Sequence, residues 1–127
     1  MNSGRSLRKF PLRARRLDSP ALYRLVKTEG AVLRKFPLSM RILQADDILE
    51  SRIGFVIRKR TGVAPLRNAM RRVLRELFNK RSPAFARPAW VVFDVAEKAS
   101  ESSRADFRAK ADALLATLCA PAEGKAA

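Results

Sequence analysis

Apolar residues recur along this chain at two spacings, helical and strand-like, in separate blocks. Ser19-Pro20 opens the first helical block, with Ser suited to capping free N–H groups and Pro preset for a first turn. Leu22, Leu25 and Val26 then share a face and Gly30 terminates the run, which predicts a helix over about 20–29. Phe36, Leu38, Met40 and Ile42 alternate with Pro37, Ser39 and Arg41, the period of a half-buried strand. Pro37 lacks a ladder donor, so that end belongs at an edge or a strand start. A polar stretch, ADDILES (45–51), leads to a second alternating run. There Ile53, Phe55 and Ile57 oppose Val56, Arg58 and Arg60. The two runs are expected to form a hairpin closed by the acidic loop.

Beyond Thr61-Gly62 the period becomes helical again. Leu66, Met70, Val73, Leu74, Leu77 and Phe78 make one stripe up to Lys80. Pro83 and Pro88 bracket a loop. WVVFDV (90–95) is apolar on both faces, which predicts a central strand with Trp90 in the core. Ser103 and Asp106 form a capping signal. Phe107, Ala111, Leu114, Leu115 and Leu118 mark a last helix that Pro121 stops. The expected architecture is α/β (an α+β sandwich), one small sheet with about three helices in the order α-β-β-(β)-α-β-α. Residues 1–17 read as a flexible basic arm, 18–119 as a single domain, and 120–127 as a disordered tail.

Composition changes this picture through charge. The chain has 127 residues, 27 Lys+Arg against 12 Asp+Glu, and a net charge of +15. With 47% hydrophobic residues it retains the material for a core, unlike a disordered polybasic chain. Such an excess calls for a polyanionic partner. The charge is also localised: residues 1–44 carry +9, 45–51 carry −3, 52–92 carry +10 and 93–127 carry −1.

Catalytic chemistry is poorly provided for. There is no His, so a His base or a His-containing triad is excluded. The single Cys119 excludes a Cys-cluster zinc site and an intrachain disulfide. It falls in an apolar helical stretch and reads as a buried, inert thiol. Asp46-Asp47 reads as a solvated turn in preference to a Mg²⁺ site. No run reaches the length of a membrane span and no secretory signal is evident, so a cytoplasmic location is expected.

The basic residues have a pattern on the longest helix. Arg67, Arg71 and Arg75 recur at i, i+4 and i+8, with guanidinium forks about 6 Å apart. Asn68 and Arg72 continue that surface, and Glu76 is its only acid. Planar forks bind two phosphate oxygens at once, so such a column can follow a phosphodiester backbone. Arg58, Lys59 and Arg60 precede the helix, whose N-terminus favours anions. Tyr23 and Phe36 lie beside basic residues and are candidates for stacking on single-stranded bases.

The stretch RIGFVIRKRTGVAPLRNAMRRVLRE (52–76) resembles the protein component of bacterial ribonuclease P. It has a strand ending in bases, a Gly, a short apolar step, and then an Arg-Asn motif running into Arg71-Arg72 and Arg75-Glu76. The flanks agree over roughly residues 17–118. Ala69 stands where the motif usually has a base, and Leu22 and Val26 stand where the family's first helix often has Phe.

The resemblance implies an α/β fold with a left-handed β-α-β crossover and a subunit of the endoribonuclease that removes the 5′ leader of precursor tRNA. It implies a catalytic RNA partner that carries the active site, with Mg²⁺ ions held mainly by that RNA, and a protein that is not catalytic alone. It also implies RNA contacts from Arg58, Lys59, Arg60, Arg67, Asn68, Arg71, Arg72 and Arg75. The leader would lie in a cleft between sheet and helix near Tyr23, Phe36 and Phe55. The competing expectation is a non-enzymatic basic RNA-binding protein, such as a small ribosomal protein.

Overall fold

The computed structural model describes residues 20–120; the expected N-terminal arm and all but the first residue of the expected tail lie outside them. Within that span the order is α1 (Pro20–Glu29), β1 (Ala31–Lys35), β2 (Leu38–Leu43), β3 (Arg52–Ile57), α2 (Ala64–Arg81), β4 (Trp90–Val95) and α3 (Arg104–Ala116). Short 3₁₀ turns at Lys59–Thr61, Ser82–Ala84 and Glu97–Glu101 join them. The capping signal operates as read: the Ser103 hydroxyl accepts from the Asp106 N–H at 3.0 Å and starts α3.

The strands form one mixed sheet in the order β1-β2-β4-β3. β1–β2 and β2–β4 are antiparallel, and β3–β4 is parallel. The expected hairpin of the two alternating runs therefore does not form, because β4 lies between β2 and β3. A strand apolar on both faces gains most from a central place, where flanking strands satisfy its backbone and layers cover both sides. β2 instead pairs with β1 through a two-residue turn at Phe36-Pro37, which has a cis peptide bond. Phe36 thus belongs to the turn and is 67% exposed, outside the strand that its spacing suggested.

Each sheet face has its own core. Met40, Ile42, Ile53, Val91, Phe93 and Val95 face α2 and α3, where they meet Met70, Leu74, Phe78, Phe107 and Leu115. Leu43, Trp90 and Val92 face the other way, against Leu22 and Val26 of α1 and Ile48 of the 44–51 loop. Gly30 makes the close fit of α1 to the sheet feasible. A Cβ at that position would strike the carbonyl oxygens of Ile42 and Val26.

Two ion pairs clamp α2 to α3. Arg81 donates to both carboxylate oxygens of Asp112 at 2.8 Å, and Arg108 donates to Glu76 at 3.2 Å. The paired charges hold the Asp112 carboxyl below its ordinary range and raise the Arg81 guanidinium. Cys119 lies past the end of α3, half-buried, in an isolated bridge with Phe85. Its thiol donates to the Arg81 carbonyl at 3.7 Å, so it is neither helical nor fully buried as its apolar surroundings suggested.

Candidate nucleic-acid interface

α2 buries Met70, Leu74, Leu77 and Phe78, which turns the opposite side of the helix outward. The Arg67/Arg71/Arg75 column runs along the border of that outward side, and Asn68 and Arg72 are exposed beside it. Local bonds order the column. Arg67 Nε donates to the Gly62 carbonyl at 3.0 Å, across the first turn of the helix. Arg71 donates to the Asn68 side chain at 2.8 Å. The Arg75 guanidinium lies 5.5 Å from the centre of the Phe55 ring, a cation–π contact.

None of Arg67, Arg71, Arg72 and Arg75 has a carboxylate within ion-pair distance among the described residues. Glu76, the one acid on the helix, is paired with Arg108 of α3. Among the described residues these four guanidinium groups on one helix have no acid paired with them, and their spacing suits a chain of phosphates. Ala69 points away from them. It lines an apolar groove with Leu66, Val73, Ala99 and Phe107, so the unusual residue of the motif leaves the column intact.

A second basic concavity lies on the other face of the sheet. α1 covers only part of that face and leaves a cleft of about 330 Å³. Arg24 and Lys27 of α1 form one wall. Arg41, Val56 and Val92 form the floor, with Arg58 and Asp94 at one side. Among the described residues Tyr23 is the sole aromatic one lining it. Its hydroxyl accepts from the Phe55 N–H at 2.8 Å and donates to the Phe55 carbonyl at 3.2 Å, which pins the ring against β3.

The structure disperses several residues that the sequence grouped. Arg58 sits beside the cleft, not beside α2, and donates to Asp94 at 2.8 Å. That hydrogen bond and the charge behind it raise the Arg58 guanidinium above its ordinary value. Lys59 and Arg60 occupy an exposed 3₁₀ turn, where Arg60 approaches Glu97 at 3.9 Å. The Phe55 ring lies under α2, across the sheet from Tyr23, as the alternation along β3 requires. Phe36 lies at the β1–β2 turn, where its carbonyl accepts from Lys110 at 2.9 Å. Leu22 and Val26 are core residues and take no part in the cleft.

Sequence reasoning passed over Arg24, Lys27 and Arg41 as cleft residues, and Asp94 between them. The signal was faint: Arg41 alternates with buried residues on β2, and Arg24 and Lys27 are spaced i, i+3 on α1.

This small α+β protein carries an arginine column on one side of its sheet and a basic cleft on the other, two surfaces of the charge that a polyanion calls for. The chain matches the ribonuclease P family over residues 11–119 and belongs to it. It is a protein subunit of ribonuclease P, the endoribonuclease of tRNA processing. The ribosomal alternative is not favoured.

Solved structures agree. The ribonuclease P protein of Thermotoga maritima superposes with a TM-score of 0.68 at 27% identity, covering 81% of this chain and 94% of that one. The Staphylococcus aureus protein gives 0.75 at 17% identity, covering 85% and 100%. Among curated protein sequences no match is found. No helix among the described residues is long and apolar enough to cross a membrane.

Proposed function

We propose that this chain docks the catalytic RNA of ribonuclease P through the outer side of α2 and holds the 5′ leader of precursor tRNA in the cleft beneath α1. The observation that carries the reading is the set of four unneutralised guanidinium groups, Arg67, Arg71, Arg72 and Arg75, on a helix whose one acid is spent on α3. Lys59, Arg60 and Asn68 extend that surface. Tyr23 and the bases of the cleft would receive the single-stranded leader, with Phe36 at its margin. Phe55 would contribute by supporting Tyr23 and Arg75, without touching RNA.

On this reading Mg²⁺ is held mainly by the RNA subunit; among the described residues no three His, Cys, Asp or Glu side chains converge. A cytoplasmic location suits a partner of precursor tRNA.

Reconstitution tests the reading. Protein added to the catalytic RNA at low Mg²⁺ should raise the rate of leader removal, while protein alone cleaves nothing. An RNA whose rate is unmoved by the protein refutes it. Co-sedimentation with ribosomal subunits in place of stimulation would restore the ribosomal alternative.

A further inference from the structure

We infer that Asp94 is a specificity-determining residue that selects, at one position of the leader, a base bearing an exocyclic amine. The inference rests on the reading that the leader occupies the cleft beneath α1. Its ground is the place of Asp94 in the fold. Two cavities share that residue: the cleft itself, and a smaller hollow of about 190 Å³ at the β1–β2 turn lined by Arg34, Phe36 and Ser39. A strand running from α1 toward the exposed Phe36 ring must cross Asp94.

Among the described residues Asp94 is the only carboxylate lining either cavity, amid Arg24, Lys27, Arg34, Arg41 and its partner Arg58. An ionised carboxylate accepts hydrogen bonds and donates none, and a phosphate has the same character. The backbone of a bound strand is therefore repelled here and held by the surrounding bases, which turns a nucleobase toward Asp94. Cytosine, adenine and guanine present an amine donor. At the exocyclic position uracil presents a carbonyl oxygen where cytosine has its amine; its only Watson–Crick-edge donor is the ring N3–H, so a carboxylate placed to meet the exocyclic group accepts from cytosine and repels uracil.

Arg58 holds the carboxylate ready for this role. Its Nη1 lies 2.8 Å from Oδ1 and 3.4 Å from the Val95 carbonyl, while Nη2 is 3.5 Å from Oδ2. Oδ1 is well engaged and Oδ2 only weakly, so Oδ2 retains acceptor capacity. The Asp94 side chain is 28% exposed, open enough for a base edge to reach. Arg58 is on this account a positioning residue, which orients the Asp94 carboxylate.

The experiment uses the holoenzyme reconstituted with catalytic RNA and precursor tRNAs carrying cytidine or uridine at each leader position in turn. One position should favour cytidine by about five- to tenfold in affinity, the scale of one good polar contact to a base edge. Asp94→Asn, whose amide can donate as well as accept, should reduce that preference below about twofold while total leader affinity rises, because one repelling anion is gone. Asp94→Ala should also abolish the preference.

Equal affinity for cytidine and uridine at every position overturns the inference, as does a preference that survives both substitutions. Those outcomes leave the leader-binding reading intact so long as the protein favours substrates with a leader over substrates without one. If removing the leader costs no affinity in the presence of the protein, the leader-binding reading fails and the Asp94 inference with it.

Discussion

Replacing Arg71 by Ala should lower the salt dependence of binding to the catalytic RNA by a calculable amount. Arg71 has no carboxylate partner and its one bond among the described residues is to Asn68, so its charge is available to a phosphate. Each neutralised phosphate releases condensed counterions and contributes about 0.7–0.9 to the slope of log K against log salt. Losing one contact therefore reduces the fall in affinity between 50 and 200 mM salt by about threefold. Arg81→Ala is the matched control. It lies on the same helix, but its guanidinium is engaged by both oxygens of Asp112. Its removal also frees an acid, and the slope should stay unchanged. Filter binding or fluorescence anisotropy over a salt series reads both variants, with circular dichroism to verify folding. Equal slope changes for Arg71→Ala and Arg81→Ala, or none for Arg71→Ala, would refute the claim that unpaired charge on α2 is what docks the RNA.

Core and clamp respond in different ways. Leu74→Ala removes a fully buried side chain between α2 and the sheet and should cost about 2–5 kcal/mol in a denaturant titration, with the RNA salt slope of the folded fraction unchanged. Gly30→Val forces a side chain onto the Ile42 and Val26 carbonyls and should destabilise by about 1–3 kcal/mol, measured the same way. Arg81 holds the Asp112 carboxyl below its ordinary value, and a depressed folded pKa stabilises above the unfolded value. The Tm difference between wild type and Asp112→Asn should thus be full at neutral pH and should shrink as pH falls below about 4. Phe55→Leu removes the ring beneath Arg75 but keeps the backbone groups that Tyr23 bonds, so affinity for the catalytic RNA should fall while the contribution of the leader to binding holds.

What could be read from sequence follows from how local each signal is. α2 was legible because its six apolar positions and its arginine column lie on one helix, where periodicity alone separates the faces. β4 was legible as a central strand because WVVFDV has no polar face to expose. β1 was not marked as an element, since four of its five residues are exposed and AVLRK lacks alternation. Strand order was misjudged for a related reason. Two alternating runs with a short loop between them suit a hairpin, and the competing demand came from β4, remote in sequence. The cleft drew on α1, β2, β3 and β4 together, so no single window contained it. Asp94 passed as one polar residue in an apolar strand, and Arg58 as one more base in a basic run. Their 2.8 Å pairing depends on the parallel register that sets Val56 opposite Asp94.

That register also explains how so small a domain joins two separate basic surfaces. β3 is an edge strand whose alternate residues face opposite layers, and Phe55 takes part in both. Its ring packs toward α2 and supports Arg75 at 5.5 Å, while its N–H and carbonyl both engage the Tyr23 hydroxyl beneath α1. An inner strand would have spent those backbone groups on a neighbouring strand, leaving none for a side chain. The edge position thus allows Tyr23 to act as the missing neighbour at residue 55, closing part of the exposed edge and fixing the cleft wall to the strand that carries the arginine platform. The arginine column and the cleft are held at a set separation by one residue of backbone, with the thickness of the sheet between them. On the proposed reading, in which catalytic RNA and leader occupy the two surfaces together, a rigid spacing of that kind means that neither surface has to be reordered when the other is filled.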